Sequence, residues 1–138
     1  MNMKRSQLLF SLGLLILLSC TNNVRDWKGG SIRKTGNYVY RDSLSIEVDI
    51  EDNLVKYKMK DGSGNELLRN KYDFSNLHRW VLYLDEDKTL WVFSSDIGDG
   101  IWKWDPKTNR YIYSPFDHHL TGREVPRYLY NDLKDYFD

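Results

Sequence analysis

The stretch RWVLYLDEDKTLWVFSS, Arg79–Ser95, holds two short apolar runs on either side of an acidic break. In an extended chain, successive side chains point to opposite faces of a sheet. Trp80, Leu82 and Leu84 then share one face, and Val81 and Tyr83 the other; in the second run Leu90 and Val92 oppose Trp91 and Phe93. Both runs are apolar on both faces, unlike strands of an antiparallel sheet with one wet side. Two such strands belong in the middle of a structure, with packed cover above and below.

Working outward, the same short alternating runs recur from Asn37 onward. YVYRD, LSIEVDI, NLVKYKMK, GIWKW and RYIYS read as further strands, rich in Val, Ile, Tyr and Trp. They are separated by EDN, DGSGNE, DEDK, SDIGDG and DPKTN, which carry the Gly, Asn, Asp and Pro that tight turns use. Sequential strands joined by such short turns form an antiparallel meander. Asn70–Leu77 has no clear period and is expected to cross between two halves of the sheet. In GIWKW, Trp102 and Trp104 share a face while Lys103 marks the other as wetter.

The expected fold is therefore mainly β, a small antiparallel meander closed as a sandwich or a partly open barrel, with a short C-terminal α-helix. That helix follows Pro126, with Leu129, Leu133 and Phe137 at i, i+4 and i+8. It is the expected second cover for the Arg79–Ser95 hairpin, since exposed apolar patches beyond a few hundred Å² are rare without a partner.

At the other end, LLFSLGLLILLSC, Leu8–Cys20, is an apolar run that follows Lys4 and Arg5 and stops at the only cysteine of the chain. As a helix, Leu8–Leu18 would span only about 16 Å, against a hydrocarbon core of about 30 Å. A basic start, a short apolar stretch and a small residue at the cut describe a secretory signal. Leu17-Leu18-Ser19-Cys20 resembles the lipobox of bacterial lipoproteins. The resemblance implies cleavage after Ser19, a diacylglycerol on the Cys20 thiol and acylation of the new amine. Stable anchoring takes more than one acyl chain, and Cys20 would carry two or three. Thr21 after the cysteine, as in enteric lipoproteins, points to the outer rather than the inner membrane. Residues 1–19 are thus read as a signal peptide, 20–36 as the lipidated cysteine and a flexible tether, and 37–138 as one β-rich domain. Trp27 in the tether has two uses open to it, packing back onto the domain or sitting at the lipid interface.

The chain carries 20 basic and 20 acidic residues; without Lys4 and Arg5 the balance is 18 against 20. That excludes the electrostatic footprint of a nucleic-acid binder and any polybasic membrane patch, so the membrane link would be the lipid alone. With Cys20 consumed, no thiol is left for a disulfide or a cysteine metal site. The domain, expected monomeric, must stand on its core, for which five Trp and ten Tyr are ample.

Chemistry is sparse. Asp117–His119 is the densest ligand cluster, but neighbouring side chains in extended chain diverge and no H-x-x-x-H pair supports them. His78 stands alone. Asp61, Ser63 and Asn65 begin like a calcium loop, yet Glu66 sits where Gly is needed and Tyr72 where Glu is needed; Asp85, Asp87 and Thr89 fail at Leu90. A looser calcium site could only involve Asp96 and Asp99. Ser94 and Ser95 lack a nucleophile elbow. LDEDKTLWVFSSDIGDGIWKWDPKTNRYIYSP resembles one blade of the sensor-type β-propellers, but a propeller needs at least four blades and the chain has room for two.

These observations imply no catalytic residue, no metal and no cofactor. They imply a lipid-anchored cell-envelope protein that acts by binding, an interaction module of inhibitor or immunity type. The alternatives are a binder of glycan or cell-wall polymer through Trp91, Phe93, Trp102 and Trp104, and a hydrolase with no nominated residue. Exposed aromatics serve sugars and protein hot spots alike, so their burial decides between core and binding surface.

Overall fold

A computed structural model of the protein describes residues 24–116 and 125–138. Cys20, the apolar run before it and the Asp117–His119 cluster lie outside the described residues. Eleven strands run in order β1 (Val24–Trp27), β2 (Gly30–Ile32), β3 (Gly36–Tyr40), β4 (Leu44–Glu51), β5 (Leu54–Asp61), β6 (Glu66–Arg69), β7 (Phe74–Ser75), β8 (Trp80–Leu84), β9 (Leu90–Ser94), β10 (Asp99–Asp105) and β11 (Arg110–Phe116), followed by α1 (Arg127–Asp132) and α2 (Lys134–Phe137). They form two sheets, not closed into a barrel: β1-β3-β4-β5-β6 with β7 beside β5, and β11-β10-β9-β8-β2.

Asp52–Asn53, inside the expected break EDN, closes β4 to β5 as a two-residue turn with positive φ at both positions, whose twist matches the flanking strands. The end of the expected strand YVYRD is instead a turn: Arg41 and Asp42 have positive φ, and Arg41–Ser43 joins β3 to β4, with Tyr40 paired to Leu44. Asp85–Lys88 closes β8 to β9, with the Asp85 N–H donating to Thr89 O at 2.9 Å. Phe74, fully buried, pins the segment that passes from one sheet to the other.

Alternation sets the core. Ile46, Val48, Val55, Tyr57 and Met59 of the first sheet pack against Trp80, Leu82, Leu84, Leu90, Val92 and Trp102 of the second. Between the sheets, the Trp102 indole N–H donates to the Tyr57 hydroxyl at 3.0 Å, which satisfies both polar groups in the dry layer. Gly100 on β10 lies under the Tyr113 ring: a Cβ there would meet the ring hydroxyl at 2.1 Å, so any other residue would displace that ring.

All ten residues of β8 and β9 are buried, as their two apolar faces require. Val81, Tyr83, Trp91 and Phe93 face away from the sandwich and are covered by Val125, Leu129, Leu133 and Tyr136. The helical stripe differs from the expected one at its last position. The helix breaks at Leu133 (φ −114°), which brings Tyr136 rather than Phe137 into the core; Phe137 packs at the margin, edge-on to Phe93. Arg33 clamps this cover from the β2–β3 connection with two bonds to the Asp135 carboxylate, at 2.5 and 2.8 Å.

The segment 20–36 is not a tether throughout. From Val24 it is sheet: β1 pairs with β3 in parallel, Val24↔Asn37 to Trp27↔Tyr40, and β2 closes the second sheet against β8. Ile32 is buried and Trp27 packs edge-on to Tyr38 and Tyr40, so Trp27 belongs to the domain. The polar composition concealed this because edge strands are held largely by backbone pairing, here with Ile32 of β2 buried and Trp27 of β1 partly buried.

Leu129 and Leu133 should each contribute roughly 1.5–3 kcal/mol through burial. Leu133→Ala is expected to lower stability by about 2–5 kcal/mol, with the cavity term included. Deleting residues 126–138 should expose Trp91 and Phe93 as a dye-binding surface. Denaturant unfolding and dye fluorescence check both outcomes; an unchanged unfolding midpoint in Leu133→Ala would show that the helix is not the second cover.

Candidate functional site

The four aromatic residues proposed for binding separate sharply. Phe93, Trp91 and Trp102 are 0%, 5% and 9% exposed and belong to the two cores, whereas Trp104 is 41% exposed at the end of β10, edge-on to Tyr111. Trp91 and Phe93 lie parallel under the helical cover, and Trp102 is bonded to Tyr57. This corrects their expected role: they are packing residues, and one exposed Trp does not make a stacking platform.

The other candidates are occupied structurally. The Asp96 carboxylate accepts the Ser75 N–H and Asp99 accepts the Ser94 N–H, so these acids hold turns rather than a shared ion. The Ser94 hydroxyl accepts the Asp96 and Ile97 N–H groups, and the Ser95 hydroxyl bonds the Arg79 backbone. Asp61 accepts N–H groups of Ser63 and Asn65 in its own turn. His78 is exposed. Among the described residues, no group of three or more His, Cys, Asp or Glu is arranged to hold a metal ion.

Two concavities among the described residues gather several charged side chains. The first, about 930 Å³, lies along the wet face of the first sheet and is lined among others by Asn37, Glu47, Lys58, Arg69 and Asp73. Most of its charges are paired, although Asp49 and Glu51, which also line it, have no ion pair among the described residues. Glu47 is bracketed by Lys58 and Lys60 at 2.7 and 2.5 Å, Lys56 pairs with Asp73, and Arg69 pairs with Glu66. Burial alone would raise the Glu47 pKa, but the two ammonium groups outweigh it and hold the carboxyl below its usual value. Such cross-strand pairs stabilise a sheet face modestly and leave little charge to attract a ligand.

The second, about 710 Å³, opens where the two sheets and the helix meet. Strand β2 and the bend before it supply Lys28, Gly29 and Gly30. The β8–β9 turn supplies Asp85, Glu86 and Asp87, helix α1 supplies Tyr128 and Asp132, and Tyr40 and Tyr83 come from the strand ends. The carboxylates here are bonded to hydroxyl and backbone donors. Tyr83 donates to Asp132 at 2.8 Å, Tyr128 donates to Asp85, and the N–H groups of Glu86 and Thr89 donate to Asp85 and Asp87. Burial is the first cause that raises the Tyr83 pKa, followed by the Asp132 carboxylate and the charges of Asp85 and Glu86; together they push it up to about 12. Tyr128 is raised for the same reasons, burial first and then Asp85. The cleft is a negatively charged concavity rimmed with tyrosine hydroxyls.

Sequence reasoning passed over this cleft because its residues come from four separate places in the chain. The signal that could have found it was DEDK, in which three acids in four positions had no cation assigned to them.

Folding holds the Tyr83 proton above the ordinary value of 10.0, so this group contributes stability below pH 10 that is lost as pH rises towards about 12. Asp132→Asn should move the Tyr83 titration only part way down, because burial, the larger cause, is unchanged. Tyrosinate absorbance in the variant and the wild type reads the shift; no movement would mean that the Tyr83–Asp132 bond is not formed.

Comparison of the chain with family models, with curated proteins and with solved structures finds no match, so the cleft's own chemistry carries its functional reading.

Proposed function

We propose that the protein is a lipid-anchored, non-catalytic binding module of the bacterial cell envelope, monomeric, that holds a protein partner in the manner of an inhibitor or immunity protein. The observation that carries the anchoring is the apolar run Leu8–Leu18 ending at Ser19-Cys20, the only cysteine. Cys20 would carry the acyl chains, on the periplasmic or outer side of a membrane, with the outer membrane favoured by Thr21. Among the described residues no helix is long and apolar enough to cross a membrane.

The short distance to the fold adds to this reading. Val24 already pairs with Asn37, so only three residues, 21–23, lie between it and the lipidated position. The four steps from residue 20 to residue 24 reach at most about 14 Å. A sandwich so attached stands close to the lipid surface, with the Val24 end of β1 towards the anchor. The acidic cleft adjoins the Trp27 end of β1, the end farther along the chain from the anchor, and on this reading it would be presented outward. An acidic, hydroxyl-rimmed concavity with no nucleophile, presented outward, suits binding better than catalysis.

Cells fed a fatty-acid analogue should label the wild-type protein and not Cys20→Ser, and the variant should leave the membrane fraction. If Cys20→Ser still labels and still sediments with membranes, the anchor is elsewhere or absent.

A further inference from the structure

We propose that the cleft between Lys28–Gly30, Asp85–Asp87 and helix α1 binds an organic cation, an ammonium or guanidinium group carried by the partner. The inference deepens the reading of the protein as a binding module and rests on it.

Three observations converge. The first is unmet charge. Asp85, Glu86, Asp87 and Asp132 line the cavity with Lys28 as the one basic lining residue. None of the four has an ion pair among the described residues, whereas Glu47, Glu66, Asp73 and Asp135 each have one. Neutral hydroxyls occupy two of the cleft carboxylates, and they leave the charge in place.

The second observation is Tyr40. It lines the cavity, is 2% exposed, and its hydroxyl is buried with no hydrogen-bond partner. A buried hydroxyl without a partner is unfavourable. An incoming N–H donor would supply the missing partner. The Arg41 guanidinium lies over the Tyr40 ring, 4.9 Å from its centre, and does not bond the hydroxyl.

The third is the close approach of the cleft wall to Tyr40. Gly29 has φ +91°, and a Cβ there would press on the Tyr40 ring edge at 3.2 Å and the Leu84 carbonyl at 3.4 Å. The bend before β2 thus lies directly on the Tyr40 ring at the margin of the cleft.

The shape selects the kind of cation. The acids sit on a turn and a helix, spread around about 710 Å³, and do not converge as a metal shell does. A guanidinium with five N–H donors, or an ammonium with three, can bridge carboxylates on both sides while tyrosine oxygens accept the remaining protons. A basic side chain of a protein and a free amine share this chemistry.

The test is calorimetric titration of the purified full chain with an alternating arginine–glycine peptide and, separately, with spermidine. Saturable, salt-sensitive binding is expected, weakened about tenfold or more in Asp85→Asn/Asp132→Asn and less in Tyr40→Phe. Glu47→Gln, which removes one negative charge from the ion-paired face of the first sheet, should bind as the wild type does. Binding of the peptide alone assigns the cation to a polypeptide; binding of spermidine as well shows that a free amine suffices. Should the double variant fail to show a thermal transition, Glu86→Gln, an exposed side chain on the same turn, takes its place. No saturation by either probe at millimolar concentration, or equal weakening by Glu47→Gln, overturns the proposal. Neither result bears on acylation of Cys20, which the labelling experiment decides alone.

Discussion

Burial of β8 and β9 on both faces is the constraint from which the rest of the architecture follows. One apolar face can be covered by a second sheet, and β3, β4 and β5 provide it with Tyr38, Tyr40, Ile46 and Tyr57. The other face needs a third layer, and only Val125–Phe137 among the described residues provides one. The demand is local to the two central strands. β10 needs little cover beyond Trp102, and its Lys103 is exposed. The first sheet, having met the core with one face, spends the other on water and on cross-strand ion pairs.

The layers were readable from residues 37–116 because a period of two in side-chain polarity is a property of each strand by itself. Trp80 to Phe93 announced two covers, and Leu129 and Leu133 announced one of them. What could not be read was what depends on other parts of the chain. VRDW and GSI have no period long enough to notice, and they are strands because β3 and β8 offer them open edges. The helix shifts its stripe from Phe137 to Tyr136 because it breaks at Leu133. The aromatic residues were ambiguous for the same reason: Trp91, Trp102 and Trp104 look alike in sequence, and only the layers around them separate core from surface.

The cleft belongs to that second class. It opens at the seam where the strand-to-strand crossing of Lys28–Gly30, the β8–β9 turn and the third layer meet, and no single segment contains it. Its tyrosines serve two roles at once. The ring of Tyr83 packs under the helix, while its hydroxyl ties Asp132 of that helix to the sandwich. Tyr128 does the same in reverse, reaching from the helix to Asp85 of the turn. Beside the Arg33–Asp135 ion pair, the third layer is therefore also tied by two cleft carboxylates that have no ion pair among the described residues, so the atoms that line the cleft are also ones that hold the fold.

The parallel pairing of β1 with β3 also has a mechanical consequence. For a chain held at residue 20 and loaded at the cleft, the two points of force lie at opposite ends of the strands. Tension then runs along β1, from Val24 to Trp27, while its hydrogen bonds to β3 lie crosswise. They are strained together in shear instead of being peeled apart one after another. Four residues of edge strand, with Trp27 edge-on to Tyr38 and Tyr40, would then carry such a load in the direction in which their hydrogen bonds resist it together.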